Sequence, residues 1–501
     1  MKRKVPQRLS FQDAAFAYFE RDAYPLNVGS VAIYEGTIGF PRFLAHVDRR
    51  IQLEPRYRQR LIGVPFALHH AQWVDDPDFD VRHHVSSVAL PAPGSEQQLA
   101  AMAGEFFSTR LRRDQPLWEM RLVEGLSGGR TAHLAKVHHC LVDGVGGVGL
   151  LAALLDTSPE PRHVRLRAHE APPLPGGLSL IGEALYDRAM GQLRFNERLA
   201  LGMLDWRPLL ASARSITRAL WAAGPYFVVP AVRTPWAMRL HAPSRLAWQV
   251  LPFADAHRAA RELGGTINDL ALTVIAGGLR RYLEGQDVST KGLVLRAGLP
   301  VSVRRDEHAA LGNRVSFMLA GLPVGVRDAR ERFRIISSEV SSLKQQGQAA
   351  GVEELMERLG DLPPAVHMIT GQTLAMPNRL TNLICTNVPG PLQPLYLQGH
   401  RMLQHFPWVP IAWQMGLSVA IMSYDTGLYF SITADRETPG DITAIAAGIG
   451  DAFDELMATT ASREPRAASA PRPSGVPATA EPASRTLSPA PAVAAQSAPG
   501  G

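Results

Sequence analysis

Short apolar strands and helices alternate through both halves of this chain, and no apolar run in it is long enough to cross a membrane. In the first half, residues 98–113 read as a helix, with Leu99, Met102 and Phe106 at helical spacing, and Pro116 ends it. Residues 117–123 and 131–137 read as strands joined by the turn 124–130, and 145–155 as a buried helix. In the second half, 268–283, 329–343 and 442–457 read as helices, and 293–303, 383–386, 417–423 and 428–434 as strands. Strands and helices mixed in both halves predict an α/β class. At 501 residues the chain exceeds one ordinary core, so two lobes of similar size are expected.

Composition marks the limits of those lobes. Residues 461–501 shift to Pro, Ala and Ser without an aromatic, too little apolar surface to offset the entropy of ordering, so a disordered tail is expected there. A Pro/Gly-rich break falls near 167–177, and 178–221 reads as mostly helical, broken at Pro208. The expected divisions are a lobe at 1–172, a helical connector at 173–235, a second lobe at 236–460 and the tail at 461–501. In the connector, Ile181, Leu185, Ala189 and Leu193 recur every four residues, with Arg188, Arg194 and Arg198 interleaved. That stripe reads first as a face packed on the protein with solvated arginines, and second as a face lying on a lipid surface.

Some function classes are excluded early. The basic start, Met1 to Arg8, lacks the apolar core of a secretory signal. With Cys140 and Cys385 as the only cysteines, a reducing compartment is expected and a cysteine-rich metal site is not. The net charge of +6 is spread along the chain with no basic stripe between aromatics, which argues against nucleic acid while permitting anionic lipid or CoA phosphates.

Three catalytic patterns compete within 125–149. Gly125-Leu126-Ser127-Gly128-Gly129 matches a nucleophile elbow but lies between two strands, where Ser-Gly-Gly is hairpin chemistry. Gly144-Val145-Gly146-Gly147-Val148-Gly149 matches a dinucleotide fingerprint, yet no second buried strand ending at an acidic residue follows. The third is His138-His139-Cys140-Leu141-Val142-Asp143-Gly144 at the end of a strand. Adjacent strand residues point to opposite faces, so one histidine can line a cleft while the other packs. They are poorly placed to chelate one metal, and no metal is expected. Imidazole, titrating near neutral pH, suits acid/base work. The other pairs, His69-His70 and His83-His84, are not followed by Asp-Gly.

The run H-H-x-x-x-D-G after a strand resembles the motif of the condensation-domain and chloramphenicol-acetyltransferase-like superfamily. The chain more closely resembles the bacterial wax ester synthase/diacylglycerol acyltransferase family, from Leu9 to about Met457. The resemblance rests on Leu9-Ser10-Phe11-Gln12-Asp13, Pro55-Arg56-Tyr57-Arg58-Gln59-Arg60-Leu61, Pro116-Leu117-Trp118 and Thr266-Ile267-Asn268-Asp269. It continues through Pro300-Val301-Ser302-Val303-Arg304, Leu311-Gly312-Asn313-Arg314-Val315, Thr386-Asn387-Val388-Pro389-Gly390-Pro391 and Ser423-Tyr424. The chain departs from the family at Leu270-Ala271-Leu272-Thr273 and at Thr426, positions that could bear on the acceptor.

The resemblance implies two chloramphenicol-acetyltransferase-like lobes, mixed sheets flanked by helices, with an active-site tunnel between them. It implies an acyl-CoA donor, a diacylglycerol or long-chain alcohol acceptor, and no cofactor. His139 would be the general base. His138 would pack or support it by a hydrogen bond, and Cys140 would occupy a variable position. Asp143 would hold the loop by facing Arg304, and Gly144 would border the substrate. Asn268 matches a cleft position and would donate to the developing oxyanion, or else cap its helix. The expected location is cytoplasmic, with peripheral contact to the inner membrane or lipid bodies. Two other classes stay open: a related condensation-type transfer to another acceptor or from a carrier protein, and a non-catalytic lipid-droplet protein.

Overall fold

The structure, a computed structural model, describes residues 7–141, 153–162, 164, 171–204, 217, 229–302, 315–346, 380–412 and 414–461. Met1–Ala461 form one compact unit; of the expected tail, Ala461 is the last residue of the final helix and 462–501 lie outside the described residues. In chain order the elements of the first half are β1 (Gln7–Arg8), α1 (Phe11–Phe19), β2 (Asn27–Tyr34), α2 (Phe40–Ile51), β3 (Gln59–Ile62), β4 (Gln72–Asp75), β5 (Val85–Ala89), α3 (Glu96–Phe107), β6 (Trp118–Leu126), β7 (Arg130–His138) and α4 (Gly177–Leu204). Those of the second half are β8 (Arg245–Pro252), α5 (Phe253–Glu262), α6 (Ile267–Glu284), β9 (Leu295–Ser302), β10 (Val315–Leu322), α7 (Ala329–Gln345), β11 (Leu383–Val388), β12 (Tyr396–Leu397), β13 (His400–Trp408), β14 (Leu417–Tyr424), β15 (Gly427–Ala434) and α8 (Thr443–Ala461).

Two six-stranded mixed sheets carry the fold, in the orders β12-β13-β2-β7-β6-β5 and β10-β9-β11-β14-β15-β8, beside a small sheet β1-β4-β3. In the first, β6 and β7 form the expected antiparallel hairpin, Trp118 opposite Val137. Its turn needs glycine, because Gly128 and Gly129 both have positive φ. Ser127 belongs to that turn, which disposes of the nucleophile-elbow pattern. In the second sheet β11 runs parallel to β9 and β14, while the outer pairs are antiparallel.

Neither sheet is drawn from one stretch of chain. Strands β12 and β13, from within 236–460, complete the first sheet, with β13 antiparallel to β2. The boundaries read from the sequence do not anticipate this exchange. It pins the two halves together: Phe406 of β13 stacks on Trp248 of β8 at 4.7 Å and meets Tyr429 of β15 edge-on. The hydroxyl of Tyr424 on β14 donates to Met402 O and accepts from Leu395 N. Each sheet has its own apolar core, one around Ile33, Leu122 and Leu134 and one around Leu272, Leu295 and Ile432.

Two helices differ from expectation. Helix α3 ends at Phe107 and not at Arg113. Lys136, whose buried ammonium donates to Phe106 O in the last turn and to Thr109 O just beyond it, holds the chain where it leaves the helix. Helix α4 buries Leu180 and Ala184, not the predicted stripe; Leu185 and Leu193 are 54% and 60% exposed. Pro208 and most of 145–155 lie outside the described residues. Among the described residues no helix is long and apolar enough to cross a membrane.

Candidate active site

The site begins where β2 and β7 end side by side. Asn27 faces His138 in the last register pair, and His138 N donates to Leu117 O at 2.9 Å. One residue later the chain leaves the sheet. His139 N donates to Leu26 O at 2.9 Å, and His139–Leu141 form a 3-10 turn. The two histidines are therefore separated by the end of a strand, and not by strand alternation as the sequence suggested.

His138 is fully buried. Its Nδ1 accepts the amide proton of Cys140 at 3.1 Å and lies 2.9 Å from the Cys140 thiol. A nitrogen that accepts carries no proton, so the ring proton sits on Nε2, which faces Glu20 Oε1 at 3.5 Å. Burial keeps this ring neutral despite the carboxylate. Glu20, itself buried, binds Arg113 at 2.5 Å and Arg110 at 3.0 Å, and it accepts from Leu26 N at 3.3 Å. Burial alone would raise its carboxyl pKa. The His138 contact and the Arg113 charge outweigh that and hold it well below the usual carboxylate range.

His139 is half-buried, its ring stacked on Phe16 of α1 with centroids 3.7 Å apart and an interplanar angle of 11°. Burial lowers its pKa to about 4, so the imidazole is unprotonated at neutral pH and able to accept a proton. Cys140 is buried beside it, and desolvation pushes its thiol far up, the opposite of a nucleophile's tuning.

Helix α1 stands over this turn because of its own start. Ser10 caps it, its hydroxyl accepting from Asp13 N at 3.1 Å, so the quoted Leu9–Asp13 motif is the helix entry that delivers Phe16 to His139. Trp118, of the Pro-Leu-Trp motif, is buried and donates to Tyr57 O at 2.7 Å, tying that motif to the Arg-Tyr-Arg segment.

The capping role considered for Asn268 is overturned, because Thr266 caps α6 in a reciprocal box with Asp269. Asn268 lies inside the first turn, half-buried, its Oδ1 3.5 Å from Asn387 Nδ2. The motifs Thr-Ile-Asn-Asp and Thr-Asn-Val-Pro-Gly-Pro thus meet at these two side chains. Leu270, Ala271, Leu272 and Thr273 are all buried on α6, the three apolar ones packing in the second half's core. Ser423 accepts from Gly390 N at 3.1 Å, and a Cβ on Gly390 would lie 2.2 Å from Ser423 O, so that glycine is required by close approach. Asp143, Gly144 and Arg304 lie outside the described residues.

Sequence reading missed Phe16, Glu20, Arg110 and Arg113. The available signal was a cluster of arginines after α3, Arg110, Arg112 and Arg113, with a single acidic neighbour, Asp114, to share.

Comparison with known proteins bears on this arrangement. Residues 9–271 match the model of the wax ester synthase/diacylglycerol acyltransferase catalytic domain, and residues 311–457 that of the WS/DGAT C-terminal domain. The chain is 35% identical over 451 residues to a Mycobacterium tuberculosis protein named as a probable diacylglycerol O-acyltransferase, covering 88% of this chain and 93% of that one. Its fold is similar to the wax ester synthase/diacylglycerol acyltransferase of Marinobacter aquaeolei VT8, with a TM-score of 0.64 and 23% identity over 91% of this chain and all (100%) of that one. It is also similar to the first condensation domain of the calcium-dependent antibiotic synthetase, with a TM-score of 0.56 and 16% identity over 90% of this chain and 96% of that one.

Proposed function

This chain belongs to the wax ester synthase/diacylglycerol acyltransferase family, and from that premise we propose that it moves an acyl group from acyl-CoA to the hydroxyl of a diacylglycerol or a long-chain alcohol, with His139 as general base. The family makes it an acyltransferase with a condensation-domain-like α/β fold. The observation that carries the role of His139 is the division of labour in the turn. The His138 ring accepts the Cys140 amide at Nδ1 and turns Nε2 toward the buried Glu20 carboxylate at 3.5 Å, whereas His139 is neutral, half-buried and held flat against Phe16.

A thioester is already activated, so no enzyme nucleophile is needed, and the buried Cys140 has no part in transfer. The alcohol must lose its proton as its oxygen attacks the thioester carbonyl. His139 takes that proton, the C–O bond forms, the C–S bond breaks, and the proton passes to the departing CoA thiolate. Base assistance of this kind is worth roughly 10²–10⁴-fold. Holding donor and acceptor in line, in a tunnel between the two halves, supplies much of the rest. Asn268 is our candidate donor to the oxyanion, and Asp143 and Arg304 our candidate pair for fixing the loop.

We place the protein on the cytoplasmic side, in peripheral contact with the lipid that holds its acceptor. Supporting this is the outward face of α4, where Leu178, Leu185, Tyr186 and Leu193 are 88%, 54%, 56% and 60% exposed. Beside the start of that helix, Phe66 stands 87% exposed on a backbone with φ of +58°, costly for an aromatic residue with no role to play. An apolar stripe at helical spacing suits insertion at a membrane interface.

The test gives the purified protein palmitoyl-CoA with a diacylglycerol or with a long-chain alcohol, and follows free CoA and lipid product by thin-layer chromatography. Product with either acceptor, lost in His139→Ala, is expected. CoA release with neither would reject the reading in favour of a carrier-protein donor or a non-catalytic lipid-droplet role.

A further inference from the structure

We propose that Glu20 is the positioning residue of the active site, fixing the His139 imidazole through three separate connections that converge on its carboxylate and backbone. The first runs through His138. Glu20 Oε1 faces the Nε2 proton of that ring, whose Nδ1 holds the Cys140 amide on the far side of His139. The second runs through Leu26, whose N–H is bound by Glu20 Oε1 and whose carbonyl accepts the His139 amide. The third runs through α1. Glu20 is its C-cap, with its N–H on Phe16 O, and Phe16 is the residue stacked on His139.

The second carboxylate oxygen is held from the other side. Arg113 reaches Oε2 at 2.5 Å and Arg110 at 3.0 and 3.1 Å, from 93 and 90 residues further along the chain. Arg110 also pairs with Asp22 on the surface. The arginines compensate the buried charge, Arg110 through Nε and Nη2 and Arg113 through Nη2, all on the one oxygen Oε2. The charged and titratable groups gathered on this turn are therefore Asp13 and Glu20 from α1 and its end, His138 from β7, and Arg110 and Arg113 from the segment after α3. None of them touches the reacting atoms in this arrangement. Glu20 acts by holding the turn that does.

The inference rests on His139 being the base, and its test separates the two ideas by reading the ring as well as the rate. Glu20→Gln removes the charge and leaves one acceptor oxygen where the carboxylate serves Leu26 N–H on Oε1 and three arginine N–H donors on Oε2, so one side of the clamp opens while size is kept. The imidazole titration of His139 is followed by NMR, with its signal assigned by difference from His139→Ala. In the parent protein His139 stays neutral down to about 4. In Glu20→Gln the loosened ring should titrate nearer the free imidazole value of about 6.5. The acid limb of kcat/KM should move up with it, and kcat should fall on the order of 10²-fold with the acyl-CoA KM little changed. Should Glu20→Gln not fold, Arg113→Lys makes the same test, since it keeps the charge and loses the Nη2 that bridges Glu20 Oε2 and Ala17 O. An unmoved His139 titration in a folded variant would overturn the proposal. A moved titration with full activity would leave the positioning intact and overturn His139 as the base.

Discussion

The Nδ1 of His138 accepts the backbone proton of Cys140, two residues further along the chain, at 3.1 Å. A ring that accepts there cannot also pick up a substrate proton at Nδ1, and its other nitrogen faces the Glu20 carboxylate. His138 is therefore held at the end of β7 by the turn that follows it.

Replacing each histidine by alanine should separate a chemical from a structural loss. His139→Ala removes a half-buried ring and should cost roughly 10²–10⁴-fold in kcat with little change in thermal stability. His138→Ala leaves the Cys140 amide unpaired and a cavity in the core, so it should cost about 1–3 kcal/mol of stability and retain more activity per folded molecule. Calorimetry beside steady-state rates checks both. Equal loss of activity with unchanged stability would mean that the two rings share the proton transfer.

Cys140→Ser should leave transfer nearly unchanged. The thiol is buried and its proton is held tightly, so direct attack on a thioester is disfavoured. Mass spectrometry of enzyme quenched during turnover should find no acyl group on Cys140, and an acylated thiol would replace direct transfer by a covalent intermediate.

What the sequence disclosed follows from how local each feature is. The β6–β7 hairpin is written in its glycine turn, and α6 and α7 in their apolar period, so both are legible. Strand β2 is buried along most of its length and has no alternation to detect. Strand β13 carries Pro407 and two histidines, and its partner lies in the other half of the chain. The Glu20 clamp was invisible for the same reason, since an acid at the end of one helix and arginines after another meet only after folding. The stripe on α4 was seen, but its packed reading fails at the exposed Leu185 and Leu193, because periodicity gives the direction of a face only relative to its own helix.

Acid should weaken the fold before carboxylates titrate. His405, Ala32 and His133 lie in one row across the first sheet, with His46 nearby on α2. Burial lowers His133 to about 3 and His405 to about 4, and burial also lowers His46. The unfolded chain takes up these protons near pH 6.5 while the native state does not. The contribution of His133 and His405 is therefore complete above that pH and is lost progressively as pH falls toward about 4, by about 1.4 kcal/mol per pH unit for each of these two rings, and His46 acts in the same direction. Urea midpoints from neutral pH down to about pH 4.5 should show this slope, and His405→Leu should reduce it. An unchanged slope in that variant would mean that His405 is already protonated in the fold.

The outward face of α4 should govern lipid contact without supporting the fold. Changing Leu178, Leu185 and Leu193 together to Ser removes exposed apolar surface worth about 1.5–3 kcal/mol per side chain when buried. Vesicle flotation should fall sharply while the melting temperature holds. Reversal of Arg188, which is exposed on the same helix, to Glu should act more weakly and only on anionic vesicles. Unchanged flotation of the triple variant would reject α4 as the contact surface.

Arg50 and Asp156 should be coupled strongly. Arg50 of α2 places Nη2 at 2.8 and 2.7 Å from the two Asp156 oxygens, and both side chains are about 2% exposed. Arg162 adds a contact at 2.9 Å from the surface side. The Asp156 backbone is paired in both directions with Tyr396 of β12, at 2.9 and 2.8 Å. One residue therefore joins α2 through its carboxylate and a strand from the other half of the chain through its backbone. Burial would raise its pKa, but Arg50 and then Arg162 lower it, so the carboxylate is ionised at neutral pH. Removing one partner leaves a buried charge alone, and Asp156→Ala should cost about 3–5 kcal/mol. Arg50→Met in that background should cost much less than it does alone, giving a coupling of roughly 0.5–3 kcal/mol in a double-mutant cycle. Arg162→Ala, with its side chain largely exposed, should lose only about 0.2–1 kcal/mol. Both single variants at the buried pair should lower soluble yield while the folded fraction keeps its acyl-CoA KM. Additive losses would mean that the two charges are solvated independently.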